Sequence, residues 1–143
     1  MTLQFSLIQT APESTDTPCA IVGVFEKGTL SSAAARIDSA AGGAIKRRID
    51  NGDIDGKIGS SRVLFDLPGI SAERVLVVGL GAQQGFDAAR FRRVSGDAAQ
   101  ALGKLPVDTA HSWLTELDVP GHDNAWRVRC AALASDHAAY RYT

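Results

Sequence analysis

The sequence predicts an α/β fold, a three-layer α/β/α sandwich around a mixed, mostly parallel sheet. Three observations predict it. Short, continuously apolar runs occur at Cys19–Phe25 (CAIVGVF) and within Glu73–Gly79 (ERVLVVG), as expected of strands buried on both faces. Between such runs lie segments with apolar residues at i, i+3 and i+4, the period of an amphipathic helix. The order reads βαββαβα, which implies helices covering both faces of the sheet. The 143 residues suit a single domain, 1–143, able to bury roughly two-thirds of the surface its unfolded chain exposes.

Thr2–Ile8 alternates, with Leu3, Phe5 and Leu7 on one face, and reads as a half-buried strand. Thr10–Pro18 is polar with two prolines and reads as a loop. Cys19–Phe25 follows as a central strand. Thr29 or Ser31 can cap a helix running to about Ile49, interrupted by Gly42-Gly43. A kink or close packing is the expected reason for that pair, because each interior glycine costs about 1 kcal/mol against alanine. Lys46, Arg47 and Arg48 fall towards the end of this helix, where cations favour the macrodipole. Asn51-Gly52 ends it, and Asp53–Ser61 is a turn-rich link.

Arg62–Leu67 and Glu73–Gly79 are two strands joined through Leu67-Pro68-Gly69-Ile70. Asp87 can cap a second long helix whose stripe is Phe91, Val94, Ala98 and Ala101/Leu102, closed by Gly103. Asp108–Leu114 is a further strand, and Pro120-Gly121 a turn. Asp123 caps a third helix, with Trp126, Cys130, Leu133 and His137 on its apolar stripe.

Fifteen basic and sixteen acidic residues give a formal net charge of −1, so the total predicts no attraction to nucleic acid or membrane. No apolar stretch approaches the roughly 18 residues of a membrane span, and the amino-terminus lacks the basic region and apolar core of a signal peptide. Cytoplasmic localisation is the expectation. Cys19 and Cys130 read as small buried hydrophobes in a reducing compartment.

The glycine turn after the Glu73–Gly79 strand invites a nucleotide reading. Gly79, Gly81 and Gly85 are spaced G-x-G-x-x-x-G, with the third glycine one place late for a dinucleotide fingerprint. No acidic partner sits at a strand end about 20 residues on, and no Gly-Lys-Ser/Thr follows as in a Walker loop. Two readings compete: a phosphate or ADP-ribose-like ligand over Gly79, Gly81 and Gly85, and a tight turn that needs glycine's backbone freedom. The second is the default at such junctions.

Arg90, Arg92 and Arg93 sit in the first turns of a helix, where positive charge opposes the dipole. Contact with a DNA backbone is one reading of these three, with Lys46–Arg48 as a second cluster. Solvated or subunit-facing arginines paired with aspartates are the other. His122-Asp123 and Ser135-Asp136-His137 show no metal-ligand spacing, and there is no H-E-x-x-H or C-x-x-C. A catalytic or metal centre built from this chain alone is therefore not expected. Trp113 and Trp126 read as core, whereas Tyr140 and Tyr142 fit a continuing chain or a docked partner.

Three segments carry a more specific signal: Asn51-Gly-Asp-Ile-Asp-Gly-Lys-Ile-Gly59, Val63-Leu-Phe-Asp-Leu-Pro-Gly-Ile70 and Glu73-Arg-Val-Leu-Val-Val-Gly-Leu-Gly81. Their ordered set resembles the amino-terminal domain of the leucine aminopeptidase (cytosol aminopeptidase) family, with Ile54 in place of the aromatic that the family carries after Asp53. The resemblance extends over nearly the whole chain. It implies a fold similar to a macro domain and a parent that is a hexameric, metal-dependent enzyme removing amino-terminal residues from peptides. It also implies that two divalent metals (Zn or Mn) and the catalytic residues lie in a carboxy-terminal domain. The hallmark of that domain, Asn-Thr-Asp-Ala-Glu-Gly-Arg, is absent here, so no catalytic residue is carried over. The implied partners are that catalytic domain and sister subunits. Some bacterial members also bind DNA.

Overall fold

A computed structural model of the chain describes residues 4–5, 11–107, 109–117, 119–121, 123, 125–127 and 129. Its elements are β1 (Gln4–Phe5), β2 (Ala20–Val24), α1 (Ser32–Ala40), α2 (Ala44–Asp50), β3 (Ser61–Phe65), β4 (Arg74–Gly79), α3 (Ala88–Gly103) and β5 (Thr109–Ser112). The strands form one sheet in the order β1-β5-β2-β4-β3. All pairings are parallel except that of β3 with β4.

The period-two alternation of the central strands divides the core in two. From β2 and β4, Ala20, Val22, Val24, Val75 and Val77 face α1 and α2, packing with Ala33, Ala34, Ile37 and Ile45. Ile21, Leu76 and Val78 face α3, packing with Phe91, Val94, Ala98 and Leu102. Both faces of the sheet are covered, as the unbroken apolar runs predict. Trp113 is buried in the first cluster, and Trp126 packs against the second.

The long helix expected from Thr29 or Ser31 to about Ile49 is two helices. The Ser31 hydroxyl caps the first by accepting from the Ala34 N–H (3.2 Å). Gly42 and Gly43 break it with φ of 69° and 85°. A Cβ on either would meet nothing within 4 Å. The pair therefore serves left-handed backbone rather than close packing. The Asp38 carboxylate of α1 accepts from the Lys46 N–H (2.9 Å), so one helix satisfies a free amide of the next. The long helix expected from Asp87 is observed: its carboxylate caps α3 at the Arg90 N–H (2.9 Å). Asp123 does the same for the helical turn at 125–127 through the Trp126 N–H (2.9 Å). Cys130, Leu133, His137 and the terminal tyrosines lie outside the described residues, as do most of Thr2–Ile8 and His122.

Candidate functional site at the glycine turn

Open α/β sheets place ligands beyond the carboxyl ends of their strands. At that edge β4 ends in Gly79 and β2 in Val24. The turn that follows β4 is tied to the chain's own backbone at each successive amide. The Gly79 N–H donates to Ser60 O (2.9 Å), the Leu80 N–H to Val24 O (2.9 Å) and the Gly81 N–H to Gly56 O (2.8 Å). Gly81 O in turn accepts from the Glu26 N–H (2.9 Å).

The approach is close enough to dictate residue type. A Cβ on Gly79 would lie 2.0 Å from Lys57 O, and one on Gly56 would lie 2.4 Å from Phe25 O. Gly56 also has φ of 74° and Gly81 of 80°. Loops from three parts of the chain, at 25–28, 56–60 and 79–81, thus interlock main chain to main chain. A phosphate cradle needs amides pointing outward and unpaired, and those of residues 79–81 are committed. A cleft here, between Asp53, Asp55, Ser60 and Arg62, has a volume of about 20 Å³, space for about one water.

The next residues differ. Ala82, Gln83, Gln84 and Gly85 are exposed, and among the described residues their N–H groups donate no backbone hydrogen bond. Arg90 folds over them. Its Nη1 donates to Ala82 O, and its guanidinium lies over the Phe86 ring at 5.8 Å. Phe86 meets Phe25 edge to face at 5.6 Å. Arg90 is therefore a brace between α3 and the turn.

The structure does not bring the three arginines together. Arg92 lies over Trp126 at 5.5 Å, and Arg93 pairs with Asp97 at 3.2 Å one helical turn on. Lys46, Arg47 and Arg48 are exposed on α2, on the opposite face of the sheet from α3. Arg47 donates to Gly42 O (3.2 Å) and Arg48 pairs with Asp53 (3.3 Å). Ion pairing with aspartate thus accounts for Arg93 and Arg48; Arg90 and Arg92 use aromatic rings and a carbonyl. The brace role of Arg90 had no signal in the sequence beyond its place three residues after a capping aspartate.

No group of three or more His, Cys, Asp or Glu side chains is placed to hold a metal ion among the described residues. Cys19 is a free, buried thiol. Burial pushes its pKa from 9.0 up to about 11, against the smaller opposing effects of a Leu76 backbone hydrogen bond and the Arg74 charge. A thiol held protonated in this way is a poor nucleophile.

The segments that suggested a family are packing devices. Ile54 of the Gly52–Lys57 stretch is buried against the α1/α2 side of the sheet. Asp55 accepts from the Lys57 N–H (3.0 Å) and shapes the turn. Gly69 of Leu-Pro-Gly-Ile, at φ 75°, passes so close to the end of α1 that a Cβ would lie 2.5 Å from Ala40 O. Sheet order and interlocked turns together define an α/β domain in which Gly56, Gly69 and Gly79 serve close backbone contact.

The chain belongs to the cytosol aminopeptidase family: the family model for its N-terminal domain matches residues 21–143. Among relatives, the probable cytosol aminopeptidase of Xanthomonas oryzae pv. oryzae (strain MAFF 311018) is 50% identical over 143 residues, 100% of this chain and 29% of its own. That of Xanthomonas campestris pv. campestris (strain B100) is 48% identical over the same shares. The chain thus spans 29% of the length of these relatives. Two solved structures share the fold. The bottromycin maturation enzyme BotP aligns with a TM-score of 0.60 at 21% identity, over 88% of this chain and 24% of that one. A tomato leucine aminopeptidase mutant aligns with a TM-score of 0.54 at 16% identity, over 94% and 28%. No helix among the described residues is long and apolar enough to cross a membrane.

Proposed function

We propose that this chain is the non-catalytic amino-terminal domain of a metal-dependent leucyl aminopeptidase that removes amino-terminal residues from peptides in the cytoplasm. Its role is assembly or regulation of the catalytic portion and of sister subunits in a hexamer. The observation that carries the reading is the match of residues 21–143 to the first-domain family model, with the whole chain aligning to 29% of its relatives' length. The site geometry supports it, because the glycine turn that invites a cofactor is occupied by the chain's own loops. Two divalent metals, Zn or Mn, belong to the catalytic portion in this reading.

The test is hydrolysis of leucine p-nitroanilide by the purified 143-residue chain with Mn²⁺ or Zn²⁺. No turnover is expected from the chain alone. Metal-dependent turnover would sink the reading. A second arm mixes the chain with the carboxy-terminal remainder of the Xanthomonas oryzae relative, where co-purification is expected.

One observation favours a second reading, an anionic small ligand of ADP-ribose type. The free amides of residues 82–85 lie beside Arg90, so such a ligand would sit over Gly85 rather than over Gly79 and Gly81. Calorimetry with ADP-ribose tests it, and the absence of heat at high concentration removes it.

A further inference from the structure

β3 is the edge strand of the sheet among the described residues, and its outward backbone is defined by its pairing with β4. Gly79 N–H to Ser60 O (2.9 Å) and Asp66 N–H to Glu73 O (3.4 Å) mark hydrogen-bonded pairs at each end of the ladder. In an antiparallel ladder such pairs recur at every second residue. Arg62 and Leu64 therefore also turn their amides inward to β4. Ser61, Val63 and Phe65 turn theirs outward, away from the sheet.

Natural edges of this kind are blunted by charge, proline or a covering element. This one carries a single charge, Arg62, and ends in the most exposed large hydrophobic side chain of the described residues, Phe65, at 59%. Arg74 lies over the Phe65 ring at 5.8 Å and leaves its far face open.

We propose that the β3 edge pairs antiparallel with the β3 edge of a second copy of this chain, about a two-fold axis at Leu64. The inference rests on the assembly role proposed above and names a surface for it. Two features select this occupant and this register. With Leu64 opposite its own symmetry mate, Val63 falls opposite Phe65 of the second copy, and both have outward backbone groups able to form ladder hydrogen bonds. Aromatic and β-branched residues are favourable cross-strand neighbours.

In the same register Arg62 comes opposite Asp66, the residue just past β3, where the chain turns out of the strand at φ 51°, and the two-fold repeats that approach of opposite charges. Asp66 makes no ion pair among the described residues. Arg62 is anchored at the edge by its Nε and Nη2 donating to Asp53 O (3.3 and 3.1 Å), with the side chain exposed. The edge is thus complementary to itself in side-chain type and charge. Pairing would join two five-stranded sheets into one continuous sheet.

Sedimentation velocity of the 143-residue chain over a concentration series tests the proposal. A concentration-dependent dimer is expected. Phe65→Lys alters an exposed side chain and should abolish it with the fold intact by circular dichroism. Val63→Pro removes an outward amide and no bond to β4, so it should do the same. Arg62→Asp and Asp66→Arg should each weaken the dimer by about tenfold, from two like-charge contacts each, and the double variant should restore it. A chain that stays monomeric into the millimolar range overturns the proposal. So does a dimer indifferent to Phe65→Lys, or one not rescued by the charge swap. If the chain is monomeric yet the mixture with the carboxy-terminal remainder assembles, this edge is excluded while the assembly role stands.

Discussion

The two ends of the sheet are held by different kinds of contact. At the carboxyl end of β2 and β4, loops meet main chain to main chain: Gly79 to Ser60, Gly81 to Gly56, Glu26 to Gly81. At the amino end, side chains add to a main-chain bond from the Glu73 N–H to Thr17 O (3.0 Å). Thr17 Oγ1 donates to Cys19 O (3.2 Å) and lies 2.6 Å from His111 Nδ1, while Arg74 Nη1 donates to Pro18 O (3.3 Å). The first end depends on the absence of side chains, the second also on the identity of a few polar atoms. Substitutions at the two ends should therefore fail in different ways.

The largest effect is expected at the carboxyl end. Gly79→Ala places a Cβ 2.0 Å from the Lys57 carbonyl oxygen, a backbone atom that moves only if the 56–60 loop moves. A cost of about 3 kcal/mol is expected, the upper range for overpacking. Gly85→Ala is the contrast. Its φ is 80°, but the nearest atom to an added Cβ is the end of the Arg90 side chain at 3.8 Å. Only the left-handed backbone penalty of about 1–2 kcal/mol should appear. Urea unfolding of both variants measures the difference. Equal losses would break the argument that Gly79 is fixed by contact rather than by conformation.

At the amino end, Cys19 gives a pH-dependent signature. Its thiol pKa in the fold is raised to about 11 by burial, from an ordinary value of 9.0. Below pH 9 both folded and unfolded thiols are protonated and the shift has no effect. Between pH 9 and 11 the unfolded chain releases its proton while the folded one keeps it, so stability falls as pH rises. The slope is about 1.4 kcal/mol per pH unit in that window. Comparing the chain with Cys19→Ala at pH 8 and pH 10 isolates this group from the other titrating residues. The gap between the two proteins should shift in favour of alanine at pH 10, and a gap independent of pH would show that burial does not hold the thiol neutral.

The fold was more legible than the site, for a physical reason. Burial on both faces leaves a continuous apolar signature, so the strands at Ala20–Val24 and Arg74–Gly79 stand out within a residue or so of their observed ends. Caps are local, and Ser31, Asp87 and Asp123 act where the pattern placed them. The purpose of a glycine is not local. Gly42-Gly43 and Gly79-Leu80-Gly81 look equally turn-like in sequence. The first is open space and left-handed backbone, whereas Gly79 is dictated by Lys57, 22 positions away and brought near only by the antiparallel return of β3. Arginine partners are equally remote: nothing in the order Arg90, Arg92, Arg93 says that they turn to a carbonyl, an indole and an aspartate in turn.

The smallest expected effect tests how far the amino end depends on one hydroxyl. Thr17 is 2% exposed, and Thr17→Val keeps its shape. Cys19 O retains the His111 N–H (2.9 Å) as a donor, so the group that loses its partner is the half-buried His111 ring nitrogen. A net loss of about 1 kcal/mol is expected, the ordinary contribution of one hydrogen bond. The hydroxyl has one proton and gives it to Cys19 O, so Nδ1 must carry the hydrogen that Thr17 accepts. Nitrogen shifts of the ring should report the Nδ1–H tautomer in the native chain and its loss in Thr17→Val. If the native ring is instead the Nε2–H tautomer, the hydroxyl donates to Nδ1 and Cys19 O relies on the His111 amide alone. The two ends of the sheet would then be more alike, each fixed chiefly by main-chain contact.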